Sequence, residues 1–130
     1  MYLLDTNTVI YFFKNLGNVS GMLLSKSPKE IAIPVITLYE LEVGIAKSAN
    51  SQKRRKQLGE IASQVAIFSF GAKEAEAAAL IRADLESKGS PIGPYDTLIA
   101  GIALSTKSTL VTHNTKEFER ISKLNIEDWF

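Results

Sequence analysis

At 130 residues, with 15 Lys and Arg against 14 Asp and Glu, the chain can bury roughly two-thirds of its unfolded surface in one domain. It has no global positive field to draw it to nucleic acid. It has no cysteine and one histidine, His113, which removes disulfides, thiolate metal sites, a cysteine nucleophile, paired-histidine acid–base catalysis and multi-histidine zinc sites.

Tyr2 to Leu4 is a short apolar run, predicted as a buried first strand, and Thr6 to Lys14 follows as a helix with Val9, Ile10 and Phe13 on one side. The opening Met1-Tyr2-Leu3-Leu4-Asp5 lacks the basic region of a signal peptide. No apolar stretch approaches the roughly 18 residues that span a bilayer, so a cytoplasmic chain without membrane association is expected. Asn15 to Asn18 reads as a loop and Val19 to Ser25 as a short helix. Ile31 to Ile36, rich in β-branched residues, is predicted as a second strand with Pro34 at its end or edge. A helix is predicted from Thr37 to about Ser48, with Leu38, Leu41 and Ile45 at helical spacing.

Asn50 to Ser63 reads as a charged helix carrying Lys53, Arg54, Arg55 and Lys56, and Val65 to Phe70 as a third strand. Ala72 to Lys88 is predicted as a long helix with a stripe at Ala77, Leu80, Ile81 and Leu85, stopped by Gly89. After the loop Ser90 to Pro94, Asp96 to Thr106 is an apolar helix and Thr109 to Thr112 a fourth strand. A short helix near Lys116 to Ile121 and an edge segment near Ile126 complete the pattern. Strands alternating with helices along the whole length predict an α/β fold: a three-layer α/β/α sandwich on a mostly parallel sheet, in one domain.

In such a sheet ligands bind beyond the carboxyl ends of the strands. Asp5 directly follows the first strand, Glu40 falls in the first turn after the second, and Glu117 in the first turn after the fourth. Asp96 opens a helix after a tight loop. Each acid has a plainer role. Asp5 and Asp96 suit helix caps, Thr37 and Glu40 have capping-box spacing, and Glu117 suits a helix dipole. Taken together, however, they form a repulsive cluster that a divalent cation would relieve. Carboxylates suit Mg²⁺ or Mn²⁺. A hard ion held by a few of them keeps waters, lowers the pKa of one, and serves phosphodiester hydrolysis.

The local sequence around these acids resembles the PIN-domain family and, within it, the VapC toxins of bacterial toxin–antitoxin modules. Leu3-Leu4-Asp5-Thr6-Asn7 resembles the family's opening motif. Thr37-Leu38-Tyr39-Glu40-Leu41-Glu42-Val43-Gly44 resembles its Glu-Leu-x-x-Gly block, which assigns the metal-site acid to Glu40 rather than Glu42. Ile92-Gly93-Pro94-Tyr95-Asp96-Thr97-Leu98-Ile99-Ala100 and Thr112-His113-Asn114-Thr115-Lys116-Glu117-Phe118 resemble the third and closing blocks. The four stand in the family's order and span the chain. The resemblance implies a Mg²⁺-dependent endoribonuclease (Mn²⁺ as a substitute) that cuts structured RNA such as transfer RNA. It would arrest translation, be neutralised by a cognate VapB-type antitoxin, and form a homodimer. Asp5, Glu40 and Asp96 match the family's catalytic acids, with Asp5 and Asp96 as direct ligands. Asn114 or Glu117 completes the site, and Thr6, Asn7 and Thr112 match polar positions that order acids or waters.

Two other readings stay open. Asp5-Thr6-Asn7-Thr8-Val9 also resembles the nucleophile motif of haloacid-dehalogenase-type phosphatases, but Asn7 stands where that chemistry needs a second Asp as general acid. A catalytically silent RNA- or protein-binding module on the same scaffold is the non-enzymatic reading. The run Lys53 to Lys56 is read first as a solvated helix face and second as a phosphate contact. His113 is read as a structural hydrogen-bonder, and Tyr11, Phe12 and Phe13 as core or dimer surface rather than a stacking platform. Trp129 and Phe130 are expected to pack the end of the chain.

Overall fold

Side chains that alternate between two cores along three short, buried strands divide the molecule into layers. The structure, a computed structural model, describes residues 1–130. Strands β1 (Tyr2–Leu4), β2 (Ile31–Pro34), β3 (Ala66–Phe68), β4 (Thr109–Val111) and β5 (Ile126–Glu127) form one sheet in the order β3-β2-β1-β4-β5. Every neighbouring pair runs parallel. Leu4, Ile31, Ile33 and Val111 face one core, while Leu3, Ala32 and Leu110 face the other. A sheet covered on both faces needs no polar side, which is why these strands read as unbroken apolar runs.

Helices α1 (Thr6–Lys14), α2 (Val19–Leu24), α3 (Val35–Lys47) and α4 (Ser51–Ala62) close the first core through Val9, Val19, Leu41, Ile45, Leu58 and Ile61. Helices α5 (Ala72–Ser87), α6 (Pro94–Ser105) and α7 (Thr115–Phe118) close the second through Ile81, Leu85, Ile99, Ile102 and Phe118. The expected α/β/α sandwich is present. From β1 the chain winds outward through β2 to the edge strand β3. Helices α5 and α6 then carry it across the opposite face to β4, on the far side of β1. The winding therefore reverses between β1 and β4, where an open sheet leaves a crevice at its carboxyl end.

The boundaries around that crevice differ from the sequence expectation. Strand β2 stops at Pro34, which is extended (φ −64°, ψ 144°) and occupies the N-cap of α3. Val35 and Ile36 continue as helix rather than strand, so Glu40 lies in the second turn. Thr37 is not a cap: it is fully buried, and its hydroxyl donates to the Leu4 carbonyl at 3.4 Å. Helix α6 begins at Pro94, a proline at the first helical position, with Gly93 as its N-cap. Asp96 thus sits inside the first turn and caps nothing. Strand β3 is shorter than Val65 to Phe70, and the short helix α7 starts at Thr115 and ends at Phe118.

Two glycines are required by what touches them. A Cβ on Gly101 of α6 would stand 2.7 Å from that of Ala78 on α5, so its absence lets the two helices pack closely. Gly17 has φ +61°, and a Cβ there would overlap the Phe130 carbonyl.

Candidate active site

Asp5 leaves β1 at the reversal point of the sheet. Its N–H donates to the Val111 carbonyl at 3.2 Å, extending the β1–β4 pairing past the end of the strand. Its Oδ1 accepts from the Thr8 N–H at 2.9 Å, making Asp5 the N-cap of α1. The Thr8 hydroxyl donates to the same Val111 carbonyl at 3.0 Å. The capping role and the place on the rim are therefore one arrangement. Asp5 is only 5% exposed. Burial pushes its carboxyl above the usual range and nearby Glu40 adds to the push, while hydrogen bonds from Thr112 and Thr8 work against it.

Glu40 reaches the rim from α3. The Thr6 hydroxyl donates to Glu40 Oε1 at 2.7 Å and stands 3.3 Å from the Thr37 hydroxyl. Two hydroxyls thus link Glu40 to the end of β1. On the opposite flank, the Asn114 side-chain amide donates to Glu117 Oε2 at 2.6 Å, and the Asn114 N–H donates to the Thr112 hydroxyl at 3.0 Å. Asn114 and Glu117 are thus joined to each other at this flank. Asn7, on the first turn of α1, is exposed.

Asp96, half-buried in the first turn of α6, shows that these flanks meet. Its carboxyl is pushed up to about 6, first by burial and then by the charges of Asp5, Glu117 and Glu40. Asp5, Glu40 and Glu117, from separate stretches of chain, therefore all oppose the ionisation of Asp96 across one crevice. No three carboxylate or imidazole side chains are arranged to close around a single ion. The all-oxygen donor set instead fits a hard cation that keeps several waters and takes one or two carboxylates, which is the habit of Mg²⁺.

Two features at this rim went unread in the sequence. Tyr39 and Tyr95, each directly before a site acid, are exposed and meet edge to face with centroids 5.7 Å apart. The Tyr95 phenol is raised, first by a hydrogen bond with the Tyr39 hydroxyl and last by the Glu40 charge. Glu40 also lines a hollow of about 190 Å³ together with Lys14 and Arg54. Arg54 alone of its basic run faces this hollow. Arg55 pairs with Glu42, while Lys53 and Lys56 are exposed.

The residues read as structural behave so. The His113 ring stacks on Phe130 at 4.3 Å and bonds Asp128 through Nδ1 at 2.9 Å. Burial works to raise Asp128, but the Phe130 N–H and the His113 ring hold it below the usual carboxylate range. Phe12 and Phe13 pack against the first core, and Trp129 is buried against Tyr2.

The family model described as PIN domain matches residues 2–124. The tRNA(fMet)-specific endonuclease VapC of Salmonella typhimurium is 37% identical over 128 residues, covering 98% of this chain and 97% of that protein. Ribonuclease VapC2 of Rickettsia felis is 38% identical over 137 residues, covering 99% and 98%. Among solved structures, a chain of the DNA-bound VapBC complex from Salmonella typhimurium superposes with a TM-score of 0.92. It is 36% identical, with 99% of this chain and 98% of that chain covered. With its acids gathered at the reversal of a parallel sheet and its sequence matched from end to end, the chain belongs to the PIN-domain family, on its VapC branch.

Proposed function

We propose that this chain is the Mg²⁺-dependent endoribonuclease toxin of a type II toxin–antitoxin pair, hydrolysing a structured RNA such as transfer RNA and so stopping translation. The observation that carries the reading is the convergence of Asp5, Glu40, Asp96 and Glu117 on one crevice, read from the electrostatic response of Asp96. The printed names of the relatives, ribonuclease and tRNA(fMet)-specific endonuclease, support the same chemistry.

Asp5 and Asp96 would hold the ion directly and Glu40 through water, with Mn²⁺ as an acceptable substitute. When bound, the ion supplies charge against the scissile phosphate and lowers the pKa of a water. The chain's own work is positioning. Thr8 and Thr112 hold Asp5 in place. Thr6 engages one oxygen of Glu40, leaving the other to orient the attacking water and take up its proton. Asn114 aims Glu117 from the far side. In-line attack by water leaves a 5′-phosphate and a 3′-hydroxyl.

A VapB-type antitoxin is the partner this reading carries, since similar chains are solved in VapBC complexes. An apolar groove of about 440 Å³, lined by Phe12, Phe13, Leu23, Leu24, Ile61 and Val65, is suited to an apolar segment of that antitoxin.

The test is end-mapping of transfer RNA incubated with the purified chain. Cleavage in Mg²⁺ that stops in chelator and is lost in Asp5→Asn is expected. Products ending in 2′,3′-cyclic phosphate would overturn water as the nucleophile. A phosphate trapped on Asp5 would favour the phosphatase reading, and cation-independent RNA binding without cleavage the silent module.

A further inference from the structure

We infer that Tyr39 and Tyr95 form a stacking platform for a nucleobase of the RNA strand, next to the phosphate presented to the carboxylate rim. This rests on the nuclease reading above.

The two rings come from different layers of contact, Tyr39 from α3 and Tyr95 from α6, and they meet over the crevice that both helices border. Each precedes a site acid by one residue, Glu40 and Asp96 respectively. The rings are 52% and 44% exposed, so they contribute little to either core. An edge-to-face pair at 69° with centroids 5.7 Å apart leaves ring surface open to solvent while each ring supports the other. A tyrosine has few rotatable bonds to freeze, so such a surface binds at low entropic cost.

Charge explains why a platform is useful here. The chain carries a formal net charge of +1, and the rim itself is acidic, so phosphate attraction near the cut is weak. Stacking needs no charge and accepts any base, because each base presents a π face. A base resting on the tyrosines would place its adjoining phosphate at the rim.

The test is binding of a labelled single-stranded RNA of about 12 nucleotides, within the span of single-strand binding sites, to chains silenced by Asp96→Asn. In that background, joint Tyr39→Ala and Tyr95→Ala is expected to weaken binding roughly 5- to 150-fold, the worth of one stacked base. The paired Phe substitutions should keep the affinity, since the ring rather than the hydroxyl does the stacking. In the active chain the alanine pair should raise KM for RNA with kcat nearly unchanged. Unchanged RNA affinity overturns the platform, as does weakening by the Phe pair equal to that by the alanine pair. Unchanged RNA affinity beside lost retention of the antitoxin also overturns it, by giving the pair to a protein partner. Cleavage by the wild type, followed separately, shows whether the nuclease reading stands in each case.

Discussion

Asp96 titrates near 6 in the folded chain against an ordinary value of 3.8, so the folded state holds a proton that the unfolded state has already lost between those values. Stability therefore falls as pH rises through this window, and the loss persists above it. Half-exposure lets solvent screen part of the penalty. Two measurements follow. In chelator, the wild-type melting temperature should drop between about pH 4 and about pH 7, while Asp96→Asn should flatten that drop and melt higher at neutral pH. The same variant should lose cleavage, because a neutral amide lacks the negative charge that draws the cation to this position. A variant that melts lower at neutral pH would mean that the carboxylate stabilises the metal-free fold. Thr6 works differently: half-buried, it directs Glu40 through a 2.7 Å bond. Thr6→Val should lower kcat about 10- to 100-fold, as loss of a partner that orients an acid commonly does. KM and melting temperature should stay nearly unchanged; an unchanged kcat would release Thr6 from this role.

Strands and helices were largely legible because both sheet faces are covered, which turns strands into apolar runs and helices into amphipathic ones. The failures are local and have local causes. Val35 and Ile36 are β-branched and extend the run of β2 on paper, but Pro34 removes a ladder donor and caps α3 instead. Thr37 has the spacing of a cap, yet its hydroxyl is consumed by the Leu4 carbonyl. Within the basic run, composition cannot say which cation lines the hollow beside Glu40; the turn of α4 decides it. Arg54→Gln should flatten the salt dependence of RNA affinity by about one unit of log–log slope, whereas Arg55→Gln, already paired with Glu42, should leave it alone. Equal effects would return the run to a diffuse solvated face. Helix packing is testable too. Gly101→Ala forces a methyl to 2.7 Å from Ala78 and should cost about 1–3 kcal/mol in denaturant melts. A neutral result would mean that α5 shifts freely from α6.

At the scale of the whole molecule, the site is a consequence of strand order. Nothing in the neighbourhood of Asp5 says that Glu40, Asp96 and Glu117 will join it; the reversal of winding between β1 and β4 does. Four sequence blocks were readable singly, and only the order of strands makes them one crevice. The Tyr39–Tyr95 contact was invisible for the same reason, since it exists only once α3 and α6 border that crevice. The fold must therefore bear an acid cluster assembled from its whole length, and a cation should return stability to the whole of it. A ligand that binds only the folded state at about 100 times its Kd adds about 2.7 kcal/mol, which for a chain this size raises Tm by something of order 10 °C. Mg²⁺ should therefore raise the melting temperature of the wild type, and chelator should reverse it. Asp5→Asn should lose most of the rise, while Glu42→Gln, outside the crevice in its pair with Arg55, should keep it. A wild-type melt indifferent to Mg²⁺, alongside cleavage that requires it, would show that the ion enters only with an RNA phosphate as its remaining ligand. In that event the repulsion around Asp96 would persist until substrate arrives.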